Sequence, residues 1–180
     1  VMLGNALYIN CLDQAAVLAD AVGDTEKAEG YRETAATARE AWNEFFIDPD
    51  TGKTKNTKGE IQDTQASYAT PLRFHVVSDE NLEKVLENYN ATIAEASGED
   101  GDGMPIVPYT LTTGFNATGN LLNALSDYGL NDTAYKLFES TDYASWLYPV
   151  TQGATSIWER WNGYTNELGF NGNNSMNSFN

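Results

Sequence analysis

Apolar residues recur at helical spacing along most of the chain, and Gly, Pro or polar runs interrupt them. Residues 5–22 carry Leu7, Tyr8, Cys11, Leu12, Ala15, Leu18 and Ala19 as an i, i+3, i+4 stripe, which predicts a helix. Gly23 ends it, and Asp24 is placed to cap the next. Over 25–46 the spacing puts Ala28, Tyr31, Ala35, Ala38, Ala41, Trp42 and Phe45 on one face. The small residues there permit two helices to approach closely. Residues 47–61 break the pattern with Pro49, Gly52 and Gly59 and predict a solvated turn or hairpin loop.

Helical spacing resumes at Asp63 with Ala66, Ala69, Leu72 and Phe74, and Pro71 predicts a kink or boundary. Ser78 caps a further predicted helix with Leu82, Val85, Leu86, Tyr89 and Ile93 on one face, and Asp79 and Glu80 in its first turn suit the helix dipole. Residues 98–110 form a Gly/Pro-rich loop. Thr113 is expected to cap a helix over 114–128 that Gly129 stops, and Asn131 to cap the next, with Ala134, Leu137 and Phe138 facing inward. The sum is an all-α chain of six to seven helices joined as successive hairpins. The first and third helices are nearly apolar all round, as the inner layer of a toroid of hairpins would be. A compact bundle and a helical repeat array remain open alternatives, and no exact internal repeat is present.

Composition narrows the function classes. The 180 residues are 41% hydrophobic and 20% charged, which suits a globular chain rather than a disordered one. A net charge of −16 repels a phosphate backbone or an anionic lipid surface, so neither nucleic acid nor membrane is an expected partner. The single cysteine, Cys11, excludes an internal disulfide, and its neighbours predict a buried helix position. The single histidine, His75, is expected to pack or be solvated rather than act in catalysis. Asp100 and Asp102 hint at calcium, but the run lacks a full twelve-residue ligand loop. No metal or cofactor is therefore expected. The compartment, cytoplasmic or secreted, is left open.

Three of the four tryptophans, Trp146, Trp158 and Trp161, fall near the end of the chain. There Ile157-Trp158-Glu159-Arg160-Trp161 sets one carboxylate between two indoles, beside a guanidinium. A general base needs an ionised carboxylate aimed at a water; a cation such as Arg160 would keep it ionised, and apolar walls would exclude bulk solvent. Trp158 or Trp161 can serve as a platform for the C–H face of a sugar ring. Arg160, and Asn177 in the Gly/Asn-rich run that follows, are the expected polar contacts to hydroxyls. The plainer alternative is a surface Glu–Arg pair beside core tryptophans.

The run GATSIWERWNGY…MNSFN closely resembles the last catalytic-domain motif of the bacterial and fungal α-L-rhamnosidases of glycoside hydrolase family 78. DTQASYATPL at 63–72 and LTTGFNATGNLLNALSDYGLNDTAYKLF at 111–138 also resemble this family, in the expected order. The resemblance implies an (α/α)6 barrel that releases terminal α-L-rhamnose from a glycoside or polysaccharide with inversion. It implies that Glu159 is the general base and that Trp158 and Trp161 lie near the rhamnose site. Inversion needs a second carboxyl group about 6.5–9.5 Å away to protonate the leaving oxygen. Nothing in residues 1–180 resembles the family motif that holds that acid. The expectation is a partial (α/α)6 barrel, about half of a six-hairpin toroid: residues 1–180 as the C-terminal portion of a catalytic domain. Such a piece would be inactive alone and would expose apolar faces that invite self-association. Another (α/α)6 glycosidase acting on glucosides, a non-catalytic carbohydrate-binding domain and a helical protein-binding module are the rival expectations.

Overall fold

The computed structural model of the chain describes residues 1–170. Among these, seven helices run in chain order: α1 (Met2–Ala21), α2 (Thr25–Phe46), α3 (Gln65–Arg73), α4 (Asp79–Ala94), α5 (Phe115–Asp127), α6 (Asn131–Glu139) and the single turn α7 (Tyr148–Thr151). The described strands are two-residue antiparallel pairs, β1 (Gly98–Glu99) with β2 (Pro105–Ile106), and β3 (Tyr164–Thr165) with β4 (Gly169–Phe170). The chain divides into two compact units, 1–89 and 90–180, with the division inside α4. No helix of the described residues is long and apolar enough to cross a membrane.

In the first unit α1 and α2 form an antiparallel-style hairpin through Gly23, whose φ of +80° suits a residue without a side chain. Asp24 caps α2, accepting from the Lys27 backbone N–H at 3.2 Å. The buried residues of the pair include Ala6, Ile9, Ala16 and Ala19 of α1 and Ala28, Ala35, Trp42 and Phe46 of α2. The Trp42 indole donates to the Met2 carbonyl at 3.2 Å. This differs from the stripes expected of both helices. Leu7, Tyr8 and Leu18 are 49%, 51% and 68% exposed, Cys11 is exposed rather than buried, and Phe45 is exposed where Phe46 is buried. The physical reason is that α1 is apolar all round, so periodicity cannot select its inner side. Closest approach selects it instead, and alanines win over leucines there. Val17 and Val22 extend the uncovered apolar surface of α1.

Helix α3 is buried on every side, from Gln65 through Ser67–Leu72, as expected of an inner helix. Thr64 and Ser67 form a reciprocal capping box at its start. Pro71, the expected kink or boundary, lies inside the helix, two residues before its last residue, Arg73. It falls in the last turns of a short helix, and its carbonyl takes the Val76 N–H at 2.9 Å. The polar 47–61 run folds back on itself through the bridges Ile47↔Thr54 and Lys55↔Ile61. Lys53 of this run is half-buried and paired with Asp63 rather than solvated. His75 is exposed.

In the second unit the tops of α4, α5 and α6 bury Ile93, Leu121, Ala124, Leu125 and Leu137. Two expected caps are displaced. Gly114, not Thr113, is the N-cap of α5, and the Thr113 hydroxyl is hydrogen-bonded with Thr118 Oγ1 at 2.8 Å. Asn131 is the first helical residue of α6, with Leu130 at the cap position.

Candidate functional site

The site is carried by the stretch after α7. Gly153 has φ +80°, and its N–H closes the turn onto the Val150 carbonyl at 3.0 Å. From Ala154 to Gly163 the backbone makes bends and turns without helix or strand, the irregular approach expected from its small polar residues. The β3–β4 hairpin follows, with the Tyr164 and Phe170 rings 5.1 Å apart.

Two of the expected site residues come together. Trp158 and Trp161 line one pocket of about 530 Å³, walled also by Phe115, Trp146, Val150 and Ile157. Trp158 is 4% exposed and meets Tyr148 edge-on, with ring centroids 6.4 Å apart. Trp161 is half-buried between Phe115, at 4.8 Å and 46°, and Trp146, at 6.3 Å and 80°. Its indole N–H donates to the Thr113 carbonyl at 2.7 Å. Half-buried Trp161 keeps part of its indole open to the pocket, the kind of surface that suits the C–H side of a pyranose, whereas Trp158 is nearly all covered. Trp146, which spacing alone would assign to the core, is half-buried and forms a pocket wall.

Glu159 and Arg160 lie outside that lining, and both are exposed. The expected apolar walls around Glu159 are thus absent among the described residues. In an irregular segment, burying both flanking indoles turns the intervening pair outward. Asn177 lies outside the described residues.

Behind Trp161 sits a feature that composition could not assign. Asp100 lines a second, more polar pocket of about 340 Å³ that shares Trp161 as a wall. Its carboxylate accepts from the Tyr143 hydroxyl at 2.7 Å and from the backbone N–H groups of Asp102 and Met104 at 2.9 Å each. Burial pushes the Asp100 carboxyl up, but these three donors outweigh it and hold it below the usual carboxylate value. Burial, and then the hydrogen bond to Asp100, push the Tyr143 hydroxyl well up. Asp102 accepts from Asn162, the residue after Trp161. Both carboxylates therefore engage protein donors. The Asp-Gly-Asp-Gly run, which by its carboxylates hints at metal binding, forms a turn that reaches the Trp segment.

A family model described as the bacterial alpha-L-rhamnosidase 6 hairpin glycosidase domain matches residues 1–180. An alpha-L-rhamnosidase of Formosa agariphila is 33% identical over 171 residues, covering 94% of this chain and 16% of the relative. One from Streptomyces avermitilis is 31% identical over 179 residues, covering 99% of this chain and 15% of the relative. The crystal structure of the Streptomyces avermitilis alpha-L-rhamnosidase complexed with L-rhamnose matches 96% of this chain and 15% of its own with a TM-score of 0.76 at 29% identity. That of native alfa-L-rhamnosidase from Aspergillus terreus matches 96% of this chain and 18% of its own, at 0.76 and 25%. The helical fold is thus that of part of a six-hairpin glycosidase domain, and the chain spans less than a fifth of the length of these relatives.

Proposed function

Because the chain belongs to the bacterial alpha-L-rhamnosidase 6 hairpin glycosidase family, we propose that residues 1–180 form part of the catalytic domain of an enzyme that hydrolyses terminal α-L-rhamnosyl residues from glycosides with inversion. In this reading Glu159 is the general base. It takes a proton from a water that attacks the anomeric carbon, while a general acid outside residues 1–180 protonates the leaving oxygen. Trp158 and Trp161 pack against the sugar, and Arg160 and Asn177 contact its hydroxyls.

The observation that carries the reading is the pairing of two locked indoles on one pocket with a carboxylate between them in the chain. The exposure of Glu159 fits a group whose surroundings are completed by other parts of a longer protein. On this reading residues 1–180 alone turn over no substrate.

The test is Glu159→Gln in the full-length protein, assayed on a chromogenic α-L-rhamnoside with the product anomer followed by NMR. Glutamine keeps the shape and removes the proton acceptor, so kcat falls by roughly 100- to 10,000-fold, and the wild type releases the inverted anomer first. Unchanged turnover in Glu159→Gln would remove Glu159 from the chemistry.

A further inference from the structure

The segment that carries Glu159 has no backbone ladder of its own between Ala154 and Gly163. A base must nevertheless be held to within a fraction of an ångström of its working position. Side-chain ties have to supply that restraint. The Trp161 indole is anchored to the Thr113 carbonyl at 2.7 Å, and the Gly163 N–H closes a turn on the Arg160 carbonyl at 3.1 Å. Inside that turn, the Asn162 amide donates to Asp102 Oδ2, a residue remote in sequence.

Asp102 is itself firmly placed. It sits on the β1–β2 turn, whose shape is set by Asp100. The Asp100 backbone N–H donates to the Met104 carbonyl at 2.9 Å, and the Gly103 N–H donates to the Asp100 carbonyl at 3.1 Å. Asp100 Oδ1 gathers the N–H groups of Asp102 and Met104, while Oδ2 takes the Tyr143 hydroxyl. Tyr143 stacks edge-on with Tyr148 at 5.3 Å, and Tyr148 meets Trp158. The acidic turn therefore braces the Trp158–Trp161 stretch on both sides, through Tyr143 and Tyr148 on one and through Asn162 on the other.

We propose that Asp102 is a positioning residue for Glu159: through its hydrogen bond with Asn162 it fixes the Arg160–Gly163 turn that follows the base, and so sets where the Glu159 carboxylate stands. This rests on the reading of Glu159 as the base. In this role Asp102 acts through Asn162 and not on the substrate, so its removal lowers kcat while leaving KM nearly unchanged.

The experiment uses the full-length protein and the same rhamnoside assay, with Glu159→Gln as a separate arm. Asp102→Ala and Asn162→Ala each lower kcat about tenfold, with KM within about twofold of wild type. The double variant is no worse than either single one, because both remove the same tie. Asn162→Asp alone sets two carboxylates against each other and is equally impaired. Combining it with Asp102→Asn restores an amide–carboxylate pair with the roles exchanged, and kcat recovers. The recovery separates positioning from general damage to the fold, since each single change is present in the rescued protein. Full kcat in Asp102→Ala beside an inactive Glu159→Gln would overturn the positioning role and leave the base intact. Additive losses in the double alanine variant, or no recovery in the exchanged pair, would overturn it too. An active Glu159→Gln would instead remove the premise.

Discussion

Gly52 and Gly59 lie on the same polar hairpin and share a left-handed backbone, with φ of +70° and +81°. A side chain at either position meets the same local penalty, about 1–2 kcal/mol for an L-residue in that region. Their surroundings differ. A Cβ at Gly52 would stand 2.4 Å from Lys84 Cβ, 3.0 Å from the Lys84 carbonyl carbon and 3.2 Å from the Val85 nitrogen. These are the stem and backbone of α4, not the free end of a side chain. Lys84 cannot swing away easily, because its ammonium is held by the Pro49 and Asp50 carbonyls at 2.9 and 3.1 Å. At Gly59 nothing lies within 4 Å. Gly52→Ala therefore adds an overpacking term of about 1–3 kcal/mol to the backbone penalty, for a total of about 2–5 kcal/mol. Gly59→Ala carries the backbone penalty alone. Urea unfolding of the two variants and the parent, followed by circular dichroism and tryptophan fluorescence, measures the difference. The midpoint falls further for Gly52→Ala, with an unchanged slope. Equal midpoints for the two variants would refute the claim that the close approach to α4 is what requires glycine at position 52.

Two further outcomes follow from the same geometry. Burial raises the hydroxyls of Tyr68, Tyr89 and Tyr143 above the ordinary tyrosine value of 10.0, and hydrogen bonds to Asp63 and Asp100 add to this for Tyr68 and Tyr143. The folded chain then keeps protons that the unfolded chain releases, so stability is fully present below about pH 10 and falls as the pH rises past it; urea midpoints across that range check this, and Tyr89→Phe has the shallower decline. Thr64→Ala removes the side chain that accepts from the Ser67 N–H at 3.3 Å and breaks the capping box of α3. It lowers stability by about 1 kcal/mol, read as a shift in the thermal or urea midpoint.

Much of the site was legible because its signal is local. Trp158, Glu159, Arg160 and Trp161 are contiguous, so the cluster stands out without knowledge of the fold, while the role of Glu159 comes from the family resemblance and not from the spacing. The bracing of that cluster was not legible. The Asp102–Asn162 and Trp161–Thr113 contacts join residues far apart in sequence, and the Thr113 partner is a backbone carbonyl that any residue would offer. Nor could adjacency show that Trp158 turns inward while Glu159 turns out to solvent.

The fold divides along a similar line. The sequence by itself determined that the chain is helical, where its helices break, and which terminal motif it carries, because periodicity, Gly/Pro punctuation and the Asp24 cap act over a few residues. Tertiary structure alone decided which side of α1 is buried, which of Phe45 and Phe46 faces inward, and that Cys11 stays exposed. On helices with apolar residues on several faces, a periodic pattern has no unique solution. Alanine-lined close packing chooses one, and that choice exists only once two helices meet.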